Sequence, residues 1–470
     1  MSVADIGSIL PVYNGLPLFW QLWFTVTLVV VLFTFVWKAC LFWRSGIWYR
    51  RVKHEQASRD PTYADPFNWI FLVPALNEEV TIRDSIGRLL EVEARNKLIV
   101  VIDDGSDDAT AGILASLDLP ELHVIRRELP DARTGKGAAL NAAFAHLPAL
   151  VKRRGWSRQR VIVTIVDADG RLAANAAQAV GPHFEDASIG GVQILVRIYN
   201  RTSPLTWAQD VEFRTFGYLY QSARSIWGGA LMGGNGQMNR LTALEAIATD
   251  EGPWKNTATE DLDLGLRLLL AGWRNVHELG TNVRQQGLNS PRQLLRQRIR
   301  WSLGNLQAAR LSRSLWLGQF SRGTRIEALA FLYMPMLQGI TGIAFIGSIY
   351  LLISGIASYI PSGTAAELLL VIIVVYVLGI GGTMMGCIAA ARGEGPTGYL
   401  RAFVTANAYA VYTWLLWPAL IVSSFRLLTG RVAWQKTERE PLPIVSYADS
   451  PALGTTSEAQ SVPAGFDRRC

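Results

Sequence analysis

The sequence predicts an α/β domain built on a parallel sheet and set between membrane-spanning helices. Three observations carry that expectation. Short apolar runs alternate with helical segments between Pro66 and Gly323, the pattern of parallel strands joined by right-handed crossovers. Longer apolar runs flank this region on both sides, each with the length a helix needs to cross the hydrocarbon of a bilayer. Half of the 470 residues are hydrophobic and only 18% are charged, a balance suited to a chain that spends part of its length in lipid.

Taken in order, an N-terminal segment (1–19) precedes a run from Trp20 to Trp43 whose single charge is Lys38. No positive n-region comes before this run and no small-residue cleavage site ends it, so a transmembrane helix over 20–43 is expected rather than a signal peptide. Arg44, Arg50, Arg51 and Lys53 follow. Residues 44–65 therefore read as a basic juxtamembrane linker that leaves the next domain in the cytoplasm.

Residues 66–323 form the soluble domain. A strand at 68–74 runs into Ala75-Leu-Asn77-Glu78-Glu79, which opens a helix through Leu90. A second strand, 97–102, ends in Asp103-Asp104-Gly105-Ser106-Asp107-Asp108. A short strand follows at 122–125, then a small-residue helix opened by Gly135-Lys136-Gly137. The run Val161-Ile-Val-Thr-Ile-Val-Asp167-Ala-Asp169-Gly170 reads as a central strand buried on both faces. Such a strand delivers its last residues to the carboxyl edge of the sheet, where open α/β folds bind ligands. Asp167 and Asp169 project the same way in extended chain, so both can meet one hard cation or a diphosphate-bound metal. Two solvated acids in a surface loop are the alternative.

A further strand is expected at 190–197, then an aromatic amphipathic helix from Trp207 to Trp227, suited to a membrane interface or to ordinary core packing. Glycine-rich 228–236 leads through Asn235, Gly236 and Arg240 into a helix. Thr259 is a plausible N-cap for the helix through Leu270, with Glu260 and Asp261 in its first turn. A basic segment from Pro291 to Leu306 carries Gln297, Arg300 and Trp301.

The C-terminal region (324–428) holds three apolar stretches, Ile326–Ile356, Ala366–Ala391 and Phe403–Leu428. Three crossings carry the chain to the far face of the membrane. Yet Arg426, Arg431, Lys436 and Arg439 argue for the near face. Pro335 gives the long first stretch a place to bend or re-enter, so the number of crossings stays open. The tail (429–470) is basic, then rich in Ser, Ala and Pro, and is expected to be disordered. Cys40, Cys387 and Cys470 are scattered and the five histidines isolated, which excludes a disulfide framework and disfavours zinc. The formal charge of +7 suits cytoplasmic loops and lipid headgroups; no nucleic-acid module is present.

Five stretches occur together in one order: Val73-Pro-Ala-Leu-Asn-Glu-Glu79, Asp103-Asp-Gly-Ser106, Asp167-Ala-Asp169, Thr259-Glu-Asp261 and Gln297-x-x-Arg300-Trp301. Residues from about 66 to 305 thereby resemble the membrane-embedded family 2 glycosyltransferases, the group of cellulose, chitin and hyaluronan synthases and their bacterial relatives. The resemblance implies a GT-A-like (Rossmann-like) catalytic domain in a multi-pass protein of the cell membrane, with that domain cytoplasmic. It implies a UDP-sugar donor, UDP-glucose or UDP-N-acetylglucosamine, and Mg2+ or Mn2+ on Asp167 and Asp169. The reaction would invert an α-linked donor into a β-linked product.

Residue by residue, the resemblance places the loop of Pro74 and Asn77 beside the uridine, with Asp103 and Asp104 accepting hydrogen bonds from uracil or ribose. Lys136, among glycines at a helix start, suits a phosphate or uridine oxygen; a solvated surface lysine is its alternative. Asp261 would be the general base, supported by Glu260, and Arg300 the clamp on the leaving diphosphate. Gln297 and Trp301, with Asn235 and Gly236 of the glycine-rich loop, would face the acceptor. That loop departs from the cellulose and hyaluronan synthase versions, which leaves the acceptor open. Helix capping explains Asp107 and Asp108 and is the local alternative for Asp261; an interface helix is the alternative for 297–301. The leading functional expectation is a processive polysaccharide synthase with coupled secretion. Addition of one sugar to diacylglycerol or a polyprenyl phosphate is the alternative, and a non-catalytic membrane scaffold the third.

Overall fold

A computed structural model describes residues 17–58, 63–353 and 365–429; the tail expected to be disordered lies almost wholly outside the described residues. The first helix, α1, runs without interruption from Leu18 to Ala57. It does not stop at Trp43, and the basic residues expected in a linker sit on its continuation. Hydropathy falls at Arg44, but Leu41, Ser45, Trp48 and Val52 keep a buried stripe at helical spacing, and a stripe suffices to hold a helix against a surface. Trp48 and Val52 join the core on one face of the sheet, and Trp48 Nε1 donates to the His277 carbonyl at 2.9 Å.

The sheet has eight strands in the order β3-β2-β1-β4-β7-β6-β8-β5. They are β1 (Asn68–Ala75), β2 (Asn96–Asp103), β3 (Leu122–Arg126), β4 (Val161–Ile165), β5 (Arg171–Leu172), β6 (Ile189–Ile198), β7 (Gln237–Arg240) and β8 (Arg274–Gln285). Strands β1 to β4 pair in parallel, as expected from their apolar runs. The sheet as a whole is mixed: β7 runs antiparallel to both β4 and β6, and β5 antiparallel to β8. Residues 237–240 are thus a strand before the expected helix begins. Side chains of β1 alternate between two cores, Trp69, Phe71 and Val73 on one face and Ile70 and Leu72 on the other. Helix α2 (Ile82–Leu90) covers the first face and α3 (Lys136–Arg153) the second.

Between sheet and spans lies an aromatic segment: α4 (Pro204–Thr215), a π-helical turn (Phe216–Gln221) and α5 (Ser222–Ile226). Ser203 and Thr206 close its start with reciprocal capping bonds. Beyond the glycine-rich loop come α6 (Glu260–Leu270) and α7 (Pro291–Ala308). The C-terminal region consists of α8 (Arg322–Ile353), α9 (Ala365–Ala390), α10 (Gly395–Leu415) and α11 (Trp417–Leu428). Helix α8 is continuous through Pro335. The break comes in the last stretch, at Leu416, just before Pro418, where a ring without an N–H cannot continue the ladder. Among the described residues four segments are long and apolar enough to cross a membrane: Leu18–Ala57, Arg322–Tyr350, Ile372–Ala390 and Gly395–Leu427.

Because Trp48 packs α1 onto the sheet, truncating it should loosen the soluble domain from its membrane anchor. Trp48→Ala is expected to cost about 3–5 kcal/mol, read as a lowered melting temperature in detergent. An unchanged melt would mean that residues 44–57 are the loose linker after all.

Candidate active site

The carboxyl ends of β1, β2 and β4 share one edge of the sheet. In register, Ala75 stands beside Asp103, and Leu72 beside Ile165 just ahead of Asp167. The glycine-rich loop enters β7 at this edge, since Gln237 pairs with Ile165, and β6 and β8 end there at Ile198 and Gln285. The N-terminus of α6 brings Glu260 and Asp261 to the same place.

Lys136, at the start of α3, organises the charges. Its Nζ lies 2.6 Å from Asp167 Oδ1 and 3.6 Å from Glu260 Oε1. Burial opposes its charge, but Asp167 and Glu260 outweigh that and hold the amine above the ordinary lysine range. Asp261 accepts from the Leu262 N–H at 2.8 Å. Burial, then the neighbouring Glu260, push its carboxyl up to about 7, while Lys136 and Arg300 pull the other way. A carboxylate titrating near neutrality is suited to taking a proton there. Gly234, with φ +76°, supplies the space: a Cβ on it would stand 2.9 Å from Asp261 Oδ2 and 3.4 Å from Lys136 Nζ.

Asp169 is buried and accepts from the Gln286 backbone N–H at 3.0 Å. Asn235 ties the glycine-rich loop to this strand end, accepting from the Asp167 N–H at 3.2 Å and donating to Gln285 Oε1 at 2.9 Å. Gln193 of β6 holds the same loop by bonds to the Asn235 carbonyl and the Gly233 N–H. The oxygen-only pair of Asp167 and Asp169 suits a hard cation. Among the described residues no third His, Cys, Asp or Glu joins them as a metal cluster, so water or a bound anion would supply the remaining ligands of a cation held there. The residues fit Mg2+ or Mn2+ on those terms.

Asp103 is 1% exposed. Its Oδ1 accepts from the Ser106 N–H at 2.9 Å, whereas Oδ2 has no hydrogen-bond partner among the described residues and faces Arg126 at 3.7 Å. A buried acceptor left open in this way suits an amide-like donor on a ligand. Arg300 donates to the Ala258 carbonyl at 3.4 Å and leaves its Nε unbonded.

Other expected contacts are spoken for within the protein. Asn77, with φ +52°, clasps Asp107 through both ends of its amide at 2.6 and 3.0 Å, so it joins two loops together. Burial raises the Asp104 carboxyl, which pairs with Arg127. Pro74 lies within β1, opposite Ile102. Gly236 is pressed between Ile194 and Val283. Gln297 accepts from Arg298, which the sequence reading passed over. Arg298 pairs with Glu212, donates to Tyr412 at 3.3 Å, and lies 4.0 Å above the Trp301 ring. Phe213 meets the same ring edge-on at 6.1 Å. The signal for Arg298 was its place inside the Gln297–Trp301 stretch; nothing local marked Gln193, Gln285 or Gln286.

A family model described as "Glycosyltransferase like family 2" matches residues 66–304. Over 243 residues the chain is 32% identical to the beta-monoglucosyldiacylglycerol synthase of Synechocystis sp., a match covering 50% of this chain and 47% of that protein. Over 276 residues it is 25% identical to the poly-beta-1,6-N-acetyl-D-glucosamine synthase of Staphylococcus aureus, covering 56% of this chain and 62% of that one. The chain thus spans about half the length of the curated relatives it matches. Among solved structures it is similar to a mannosyltransferase from Pyrobaculum calidifontis in complex with GDP-Man and Mn2+, with a TM-score of 0.51 and 18% identity over 86% of this chain and 99% of that one. That likeness is one of fold, and the soluble domain is GT-A-like.

The two neighbours of Asp261 act on it in opposite directions, which can be measured without turnover. Isotope-edited infrared titration should find its carboxyl, as part of the Glu260–Asp261 pair, titrating near 7. Glu260→Gln should move the midpoint down and Lys136→Gln should move it up. A midpoint that ignores both substitutions would remove this charge cluster as its cause.

Proposed function

This chain belongs to glycosyltransferase-like family 2, and we propose that it moves a hexose from a UDP-sugar to a hydroxyl of a membrane lipid, with inversion at the anomeric carbon. The observation that carries the transfer chemistry is Asp261, raised to about 7 beside a cation bridging to the Asp167 strand end. The acceptor oxygen attacks the anomeric carbon while the bond from that carbon to the diphosphate oxygen breaks. Asp261 takes the hydroxyl proton, and the electron pair leaves with the UDP. No covalent enzyme intermediate is required.

Asp103, whose Oδ2 accepts no hydrogen bond from the described residues, would accept from the uracil amide. Lys136 and Arg300 balance the charge that grows on the leaving diphosphate. Asp167 and Asp169 would hold Mg2+ or Mn2+, which when bound supplies further charge neutralisation there. Glu260, paired with Lys136 at 3.6 Å, keeps Asp261 basic enough to act.

Two observations favour a lipid acceptor over a growing polymer. Relatives matched at 32% identity are named for a diacylglycerol product. Trp301 gives one ring face to Arg298 and packs nearly perpendicular to Phe213, which reduces the stacking platform a sugar chain needs. The polymer reading keeps one support, the 25% identity to a poly-N-acetylglucosamine synthase. We place the soluble domain on the cytoplasmic side, where UDP-sugars are made, with Arg44, Arg50, Arg51 and Lys53 at the boundary.

The test uses purified protein with labelled UDP-glucose and UDP-N-acetylglucosamine, diacylglycerol in mixed micelles, and sizing of the product. A single-sugar lipid is expected, and a ladder of oligosaccharides would restore the polymer reading. The rate at low donor concentration should rise with pH through about 7, because the base works when ionised. Asp261→Asn should lower transfer by about a thousandfold or more while calorimetry still detects UDP binding. Excess chelator should abolish turnover; activity surviving it would exclude the metal role of Asp167 and Asp169.

A further inference from the structure

We propose that Gln221, Arg224 and Glu327 form a positioning network through which membrane helix α8 sets the glycine-rich loop against Asp261, and so controls acceptor capture. The proposal rests on the reading that this loop faces the acceptor.

The network is continuous. Glu327, in the second turn of α8, accepts from Trp37 Nε1 of α1 at 2.5 Å and from Arg224 Nε and Nη2 at 3.0 and 2.8 Å. Arg224 Nη1 donates to Gln221 Oε1 at 3.1 Å. Gln221 then grips the backbone of Leu231 from both sides, its Oε1 accepting from the N–H at 3.0 Å and its Nε2 donating to the carbonyl. Leu231 lies three residues before Gly234, the glycine pressed against Asp261. Every link is held. The side chains of Arg224 and Glu327 are only 3% and 5% exposed, and rings of Phe216, Tyr220 and Phe331 surround the guanidinium at 4.8–5.7 Å.

A second contact runs beside the first. Thr324 donates to the Trp227 carbonyl at 3.1 Å, and a Cβ on Gly229 would stand 2.9 Å from Thr324. Leu231, Leu262, Leu266, Ala328 and Leu332 share one apolar cluster, so α8, the base-bearing helix α6 and the segment leading to the loop belong to one packed body.

Two physical points favour positioning over bare stability. A buried ion pair loses hydration that its attraction barely recovers, so an apolar pair of similar size would hold α8 as well or better. What an apolar pair lacks is the directional grip on Gln221 and, through it, on the Leu231 backbone. In addition, Gln221 ends a π-helical turn, a geometry that is rare and concentrated at functional sites.

The decisive variant is Arg224→Met with Glu327→Leu in the full-length protein, assayed with UDP-glucose and diacylglycerol. The apolar pair should keep the melting temperature near that of the wild type. The KM for diacylglycerol should rise about tenfold, while the KM for UDP-glucose stays the same. Gln221→Leu, which leaves the ion pair intact, should give the same split, and it decides the matter if the double variant does not fold. Wild-type acceptor kinetics in whichever of the two folds would overturn the network's role. Gly234→Ala separates this from failure of the underlying reading. If it raises the acceptor KM while the network variants do not, only the network proposal falls; if it leaves acceptor kinetics untouched, the loop is not at the acceptor and both fall.

Discussion

Lys136 makes the site possible. Asp167 arrives on the end of β4, Glu260 and Asp261 on the first turn of α6, and three carboxylates converging at one sheet edge repel. A single amine 2.6 Å from one and 3.6 Å from another offsets that repulsion and joins α3, β4 and α6 at one point. It also divides the labour among the acids. Asp167 is in direct contact with the amine. Asp261, one step removed and beside Glu260, is lifted toward neutrality. In the proposed reaction these are the two roles required, a carboxylate at the diphosphate end and a base that can exchange its proton.

The glycine-rich loop fills the remaining side, and its composition follows from crowding. Gly234 and Gly236 adopt left-handed backbones that favour glycine, and a Cβ would also strike Asp261 at the first and Ile194 and Val283 at the second. A loop with so little side chain of its own has to be fixed from outside. Gln193, Gln285 and the Asp167 N–H fix it from the sheet, and Gln221 fixes it from the membrane side.

The sequence made the donor half of this arrangement legible. Strands β1, β2 and β4 are uninterrupted apolar runs, and the residues that end such runs must lie at the carboxyl edge, so Asp103, Asp167 and Asp169 could be placed before any coordinates. Strands β7 and β8 were not legible because buried Gln237, Asn239, Asn275 and His277 break the apolar pattern on which strands are recognised. The extension of α1 was missed for a related reason: a spanwise hydropathy average ends at Arg44, whereas the stripe of Leu41, Ser45, Trp48 and Val52 does not. Asn77 and Asp104 occupy the expected loops, but their partners, Asp107 and Arg127, come from tertiary contacts that spacing does not reveal.

The two halves of the site are mounted differently, which bears on how it works. The proposed base belongs to α6, which packs on the sheet through Leu264 and Leu268. Arg300 and Trp301 belong to α7, which is held toward the membrane by Arg298 on Glu212 and Tyr412 and by Ser302 on Ser423 at 2.7 Å. Transition-state stabilisation needs base and clamp in register at once, since misplacement by even 1 Å is costly. In this protein that register is set across the junction between soluble domain and spans. The lipid acceptor proposed above would approach along the same junction, so that the geometry admitting it and the geometry aligning the charges for its reaction would depend on the same contacts.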